Sequence, residues 1–263
     1  MDSVEWVERG ASIADRLTTT QAPPPAWLVA AVAMVALLLV GSTTIWRATR
    51  HIVTIAHEGG HALAALATGR KLNRIHVHSD SSGLTVSSGR PSGLGMILTT
   101  MAGYPAPPLL GLGFAALLGA DRITLMLWTV VALLAALLIK IRNIHGVVSV
   151  LALGAAVFGV SWFGSDTLQA GFAYLGTWFL LFAGARPVVE LQRTRSRQRS
   201  RYGEIDSDAD QLARLTRLPG LLWVVVFGAI ATGSLLLGSM LLISGIVGNC
   251  WPNASFSCGA TPR

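Results

Sequence analysis

The sequence predicts an all-α polytopic membrane protein with about six to seven transmembrane helices and a short β-hairpin. Of its 263 residues, 52% are hydrophobic and only 13% are charged, so the composition lies outside the range of ordinary soluble domains. About 20 apolar residues cross a bilayer as a helix. Apolar runs of roughly that length lie at 26–46, 51–68, 94–119, 122–139, 143–163, 168–186 and 219–247. We therefore assign residues 26–247 to one membrane-embedded domain.

Residues 1–25 precede the first apolar run, and we expect them to form a polar tail. They end in Ala-Pro-Pro-Pro, which favours a stiff extended spacer. The run that follows is typical of a lipid-facing helix, with Trp27 and Trp46 near its ends as interfacial anchors. It is a poor signal peptide, because acidic residues precede it where Lys or Arg is usual. We therefore expect the N-terminal segment to be retained.

The second run, IVTIAHEGGHALAALATG, carries the main chemical signal of the sequence. Its His57 and His61 are four residues apart, so both imidazoles lie on one face of a helix and can reach one metal ion. Glu58 stands where an acid can act on a metal-bound water. Ionisable groups in a lipid-depth helix cost roughly 2–3 kcal/mol each when charged. Their presence in this run therefore predicts a functional zinc site.

Residues 71–90 change from helical spacing to alternation around the turn residues SDSSG, which predicts a β-hairpin. Its edge could pair with an extended peptide, or the hairpin could merely connect two helices at the cytosolic interface. His76, His78 and Asp80 would share one face of a strand. One interpretation is that these residues form a second metal site. We favour the other, in which they are solvated polar side chains in a loop rich in Ser and Gly.

The third run contains Pro105, Pro107 and Pro108, which must interrupt or kink its helix. The glycines beside them, among them Gly103, permit close approach of another backbone. A kink facing the metal helix could open room for a substrate, and small-residue packing between helices accounts for the pattern equally well. The next two runs have no ionisable group in their interior and are interpreted as scaffold.

Residues 187–218 form a predicted cytosolic loop that is rich in both Arg and acidic residues. Catalytic zinc normally takes three protein ligands and a water, so an acid must complete the pair of histidines. The candidate acids are Glu190, Glu204, Asp206, Asp208 and Asp210. The three aspartates are the richest supply. The alternative is that they cap a helix and offset the neighbouring arginines.

Basic residues cluster beside the apolar runs, which the positive-inside rule explains without a nucleic-acid partner for the net charge of +7. We place the clusters at 70–71, 140–142 and 193–201 in the cytosol, and the turns near Asp121 and Asp166 outside. Arg47 and Arg50 would lie outside if the first two runs both cross, and inside if the second run is only half-inserted.

Residues 248–263 are expected to form an extracytoplasmic tail. The tail holds both cysteines, Cys250 and Cys258. A disulfide between them is plausible on an oxidising face, and two unpaired thiols are the alternative.

Four segments together resemble a known family. They are HEGGH at 57–61, SGLT at 82–85, AGYPAPPLLG at 102–111 and SDADQLARLTRLPGLLW at 207–223. The chain resembles the M50 site-2-type intramembrane zinc metalloproteases, and more closely the M50B-like bacterial membrane peptidases. The resemblance implies one Zn²⁺ held by His57, His61 and Asp208, with Glu58 as general base, in a bacterial plasma membrane. The family's usual third-ligand motif is missing, so Asp208 is assigned by position, and Asp206 and Asp210 stay in contention.

By that resemblance we expect an endopeptidase that cuts membrane protein or peptide substrates. The alternative is a catalytically inactive relative that keeps the fold or the metal for binding a partner. A metal transporter would need further His or acidic residues along several helices, and the other apolar runs lack them.

Overall fold

The computed structural model describes residues 3–199 and 207–248. Its helices are α1 Ser3–Thr18, α2 Ala26–Gly41, α3 Thr43–Ala67, α4 Leu94–Met101, α5 Ala106–Gly119, α6 Ile123–Leu138, α7 Ile144–Phe163, α8 Asp166–Ala183, α9 Ala185–Arg199, α10 Asp208–Thr216 and α11 Gly220–Gly248. Its strands are β1 Lys71–Val77 and β2 Gly83–Ser88. The predicted all-α fold with a hairpin after the motif helix is confirmed. Cys250 and Cys258 lie outside the described residues.

Three helical segments are long and apolar enough to cross a membrane: Ile144–Phe163, Asp166–Ser196 and Gly220–Ser244. Two bent pairs raise the number to five, with a bend of 101° between α2 and α3 and of 73° between α4 and α5. The shorter apolar α6 makes a sixth segment in the described chain. The seven runs give six segments because the first two runs are the arms of one bent pair. The helix content is that of an integral membrane protein.

Most of the predicted N-terminal tail is helical. In α1, the Trp6 ring lies 5.0 Å from that of Trp162, centroid to centroid, and the Arg9 guanidinium donates to the Trp162 carbonyl at 2.7 Å. Arg16 pairs with Asp166 at 2.8 Å. The helix therefore packs on the turn between α7 and α8. Polarity alone predicts a tail here, because the contacts of Trp6, Arg9 and Arg16 join residues far apart in sequence.

The bend between α2 and α3 is fastened to α9. Arg186 donates a hydrogen bond to the Val40 carbonyl and lies 4.8 Å from the centroid of the Trp46 ring, a cation–π contact. The Trp46 indole N–H donates to Glu190 Oε1 at 2.9 Å. Trp46 is buried, so the prediction that it is an interfacial anchor is wrong: its ring packs against Arg186 and Glu190 of α9.

The hairpin lies along α3, the helix with the metal motif. Thr54 on α3 donates from Oγ1 to the Ser81 carbonyl at 2.9 Å. On its other side β1 is covered by the connection between α6 and α7, since the Ile75 amide donates to the Lys140 carbonyl at 2.9 Å and Ile75 bridges Ile141 in parallel. Among the described residues β1 is therefore the central strand and β2 the edge.

Candidate metal centre

His57 and His61 face each other on one side of α3. Their Nε2 atoms are 3.1 Å apart, and their ring planes are nearly perpendicular at 86°. One turn of helix separates them, as the spacing predicts. The two ring nitrogens therefore point at the same small volume.

The short helix α10 brings a carboxylate to this pair. Ser207 caps the helix by accepting a hydrogen bond from the Asp210 amide, and Asp208 is the first helical residue. Its Oδ2 lies 3.3 Å from Nε2 of both His57 and His61. The described residues contain one group of at least three His, Cys, Asp or Glu side chains whose ligand atoms approach one another within 4.8 Å, and it is this one.

The three atoms have the spacing that a zinc ion needs. Tetrahedral zinc with bonds of about 2.0–2.1 Å places its ligand atoms about 3.3–3.4 Å apart, close to the 3.1, 3.3 and 3.3 Å found here. Asp208 Oδ2 is buried and has no hydrogen-bond partner among the described residues. A buried carboxylate oxygen without a donor is costly, and a cation at this point would remove that cost. The residues therefore fit the metal.

A carbonyl of α4 sets the orientation of one imidazole. His61 Nδ1 lies 2.7 Å from the buried Thr99 carbonyl oxygen. A carbonyl can only accept, so Nδ1 carries the proton and Nε2 of the neutral ring presents its lone pair to the other two groups. Nothing in the sequence indicates Thr99 as part of the site, because a backbone carbonyl leaves no sequence signal.

The break between α4 and α5 leaves the space beside the histidines open. A Cβ atom at Gly103 would lie 2.4 Å from His61 Nε2 and 2.6 Å from His57 Nε2. The next residue, Tyr104, sets its ring edge-on to His57, with centroids 4.9 Å apart. The sequence pointed to Gly103 only as a place of close approach. The structure places that approach at the ligand atoms themselves.

Glu58 points to the hairpin. It is 3% exposed, and its Oε2 accepts a hydrogen bond from Thr85 Oγ1 of β2 at 2.6 Å. A Cβ atom at Gly83, two residues earlier, would lie 2.2 Å from Glu58 Oε1. Strand β2 therefore forms the wall of the site against which the acid packs. Both Gly83 and Thr85 belong to the SGLT segment at 82–85, for which the sequence alone indicates no role in the site.

The other candidate acids are engaged elsewhere or lie outside the described residues. Asp210 pairs with Arg195 at 2.7 Å, and Glu190 lies in the cluster around Trp46. Asp206 and Glu204 fall in the part of the chain that the structure does not describe.

Of the three polar hairpin residues considered as a second metal site, His78 and Asp80 belong to the turn and His76 lies in β1. Asp80 accepts hydrogen bonds from the hydroxyl of Ser82 at 2.6 Å and from its amide at 2.9 Å, and these lower the pKa of the Asp80 carboxyl. His78 Nδ1 lies 3.3 Å from the same hydroxyl. His76, His78 and Asp80 do not form a group with metal-site spacing in the described chain. The Nε2 atom of His76 is buried and has no hydrogen-bond partner among the described residues, so the interpretation as a solvated loop side chain does not hold for His76.

Comparison with known proteins identifies the family. The sequence model of the family described as Peptidase M50B-like matches residues 28–238. The match runs from α2 into α11 and includes every residue of the site described above. Neither the curated proteins nor the solved structures compared with the chain gave a match. Because the match covers most of the sequence, the chain belongs to the Peptidase M50B-like family, a family of peptidases.

Proposed function

We propose that this protein is a zinc-dependent intramembrane endopeptidase of the site-2 type, which hydrolyses peptide bonds of membrane proteins. The observation that carries the proposal is the cluster of His57, His61 and Asp208 at tetrahedral spacing in a fold of apolar helices. Membership of a peptidase family supports the same reaction class.

The metal ligands in this proposal are Nε2 of both histidines and Oδ2 of Asp208. Bound there, zinc supplies Lewis acidity and lowers the pKa of a water to about 7. Glu58 is the general base, which accepts the proton of the attacking water and transfers it to the departing amine. Thr85 donates to Oε2 of Glu58, so we assign the transferred proton to Oε1.

The substrate must be extended where it is cut, because the backbone of a membrane helix is hydrogen-bonded within itself. The edge of β2 can accept such a segment as an added strand. Gly83 and Thr85 of β2 both touch the Glu58 carboxylate. A peptide paired with this edge would therefore pass close to the general base.

Zinc-dependent cleavage by the purified protein tests the proposal. The probe is a panel of single-pass membrane peptides in detergent, each with a fluorophore and a quencher at its two ends. We expect cleavage that is lost on treatment with a zinc chelator and restored by added zinc. General-base catalysis contributes about 10²–10⁴-fold, so Glu58→Gln should lower the rate by at least about 100-fold while zinc stays bound.

If Glu58→Gln cuts as fast as the parent protein, the enzymatic assignment fails. If the parent binds zinc and cuts no member of the panel, the inactive, partner-binding relative becomes the better account.

A further inference from the structure

The position of the Asp208 carboxylate depends on the backbone of the first turn of α10. Its Oδ2 atom accepts no hydrogen bond from the described residues, and its close neighbours are the two imidazole nitrogens at 3.3 Å. Apart from these two imidazoles, no side chain among the described residues holds this oxygen in place before a metal binds. Whatever fixes the first turn of α10 also fixes the third donor of the site.

The first turn of α10 is held through Asp210, on the side away from the histidines. Residues two apart on a helix point about 200° from each other, so Asp208 faces α3 while Asp210 faces α9. Arg195 of α9 donates from Nε to both oxygens of Asp210 at 3.1 Å, and from Nη2 to Oδ1 at 2.7 Å. The Ser207 hydroxyl also donates to the Asp210 carboxylate. The first turn of α10 is thus held by hydrogen bonds at its capping residue, Ser207, and at its third residue, Asp210.

The chain makes a specific place for this arginine. Arg195 is 3% exposed, and Gln192 Oε1 accepts from its Nη1 at 3.3 Å. A Cβ atom at Gly220, where α11 begins, would lie 2.2 Å from Nη2, so only glycine leaves room for the guanidinium.

A planar guanidinium fork fixes orientation as well as distance. The apolar contacts of α10, made by the fully buried Ala209 and Leu212, are non-directional and fix the rotation of the helix less sharply. The ion pair is therefore a more directional contact of α10 than its apolar packing.

We propose that Arg195 is a positioning residue for the metal site: by holding Asp210, it turns Asp208 toward His57 and His61. The inference rests on the metal site of the proposed function and extends it to a residue of α9 that contacts none of the three donors. Residues that orient a metal ligand typically contribute 10–100-fold to metal affinity.

Metal titration of the full-length protein in detergent tests the inference without an activity assay. We expect Arg195→Met to weaken zinc binding by about 10–100-fold. Arg195→Lys keeps the charge but loses the planar fork, so its zinc affinity should lie between those of the parent protein and Arg195→Met. Cobalt is the second probe: its visible absorption should be intense in the parent, as four-coordinate Co²⁺ is, and weak in Arg195→Met. Arg193→Met is the matched control, because Arg193 is an exposed arginine of the same helix, and it should bind both ions as the parent does.

A double variant separates positioning from folding. Removing one partner of a buried ion pair destabilises a protein, whereas replacing both with apolar residues often restores stability. We expect Arg195→Leu with Asp210→Leu to unfold near the temperature of the parent and still to bind zinc weakly.

Recovery of zinc affinity together with stability in the double variant would overturn the inference, as would unchanged zinc affinity in Arg195→Met. A parent protein that binds no zinc would overturn both the inference and the metal site. A parent that binds zinc but cuts no peptide, with Arg195→Met binding weakly, would support the inference while the proposed activity fails.

Discussion

At Gly103 the missing side chain is what keeps the donors accessible. Replacing it with alanine puts a methyl group 2.4–2.6 Å from the two Nε2 atoms, in the volume where the ion would sit. We expect Gly103→Ala to lower zinc affinity by at least about tenfold, comparable to the loss of an orienting residue, as measured by metal titration. Gly113→Ala is the control, since a Cβ there meets nothing within 4 Å, and it should bind zinc normally. Equal affinity of the two variants would show that the ion does not lie beside Gly103.

Thr85 should affect the rate of cleavage and leave metal binding unchanged. Its hydroxyl holds Glu58 Oε2 at 2.6 Å, and hydrogen bonds to charged groups contribute about 1.5–3 kcal/mol. We expect Thr85→Val, which keeps the shape, to slow peptide cleavage by about tenfold or more with unchanged zinc content. Thr129→Val removes a hydroxyl whose one hydrogen bond among the described residues goes to the Leu125 carbonyl of its own helix, and this variant should cut at the parent rate. Loss of zinc in Thr85→Val would instead assign the threonine to the metal site.

The residues of the site differ in how well the sequence could predict them. His57, Glu58 and His61 share one helix, so helical periodicity alone brings the two imidazoles together. Asp208 could not be distinguished from Asp206 and Asp210, because alternating aspartates look equivalent in one dimension. The helix start at Asp208 and the ion pair of Asp210 with Arg195 distinguish these two aspartates in space, while Asp206 lies outside the described residues. Thr85 and Gly103 come from the hairpin and from a helix break, whose positions depend on tertiary packing.

Among the elements, α3 and the α4–α5 break are packed backbone to backbone. A Cβ atom at Gly60 would lie 2.4 Å from Ala106 Cβ and 2.6 Å from the Ala102 carbonyl oxygen. We expect Gly60→Ala to push the two elements apart, move His61 away from the Thr99 carbonyl, and destabilise the fold by roughly 1–3 kcal/mol, as overpacking does. Thermal unfolding in detergent and zinc titration measure the two effects.

The neighbouring glycine is the control for that change. At Gly59 a Cβ atom meets only Leu137 Cδ1, at 3.8 Å. Gly59→Ala should therefore stabilise α3 slightly, by up to about 1 kcal/mol, the difference in helix propensity. A Gly60→Ala protein that is as stable as Gly59→Ala would contradict the close packing described here.

The helices are predicted well from the length and hydropathy of the apolar runs. The breaks and bends between helices are predicted less well. The run at 94–119 contains Pro105, and the break between α4 and α5 falls beside it, as proline requires. The sharper bend between α2 and α3 has no proline. It depends on Ser42, which caps α3 in an extended conformation, and on Arg186 reaching the Val40 carbonyl from α9. That second contact joins residues far apart in sequence and could not be read from the local pattern.

In the molecule as a whole, the connections between helices lie at two opposite ends of the helical domain. At one end β1 bridges the α6–α7 connection, so the basic clusters at 70–71 and 140–142 lie together. At the other end α1 packs on the α7–α8 turn, and the Gln21 amide donates to the Asp121 carbonyl at 2.8 Å. Two of the three basic clusters thus lie at one end, and the turns near Asp121 and Asp166 lie at the other; that the basic end faces the cytosol stays a prediction of the positive-inside rule. Three to five of these segments are long and apolar enough to cross, and α6 is a shorter apolar helix; if all six cross, the even number returns the chain to the side from which it entered.

The contacts of α3 indicate on which side of the membrane Arg47 and Arg50 lie, a question that the sequence alone does not answer. The 101° bend turns α3 away from the direction of α2, so α3 does not run back along α2 to the side where α2 began. His51 Nε2 of α3 instead lies 3.4 Å from the Ser81 hydroxyl, at the tip of the hairpin. Both arginines are therefore expected on the hairpin's side of the membrane, which is the half-inserted alternative.

Labelling of single cysteines tests this topology. In a protein with Cys250→Ser and Cys258→Ser, we expect Ser12→Cys on α1 to react with a membrane-impermeant maleimide from outside intact cells. We expect Asn73→Cys on β1 to react only in inverted membrane vesicles. Both positions are exposed, so access to the reagent depends on the membrane and not on burial. If the two cysteines react from the same side, α1 and the hairpin share one face of the bilayer, and the bent pair α2–α3 does not cross it. If they react from opposite sides but in the reverse order, the bent pair crosses and the basic clusters at 70–71 and 140–142 lie outside.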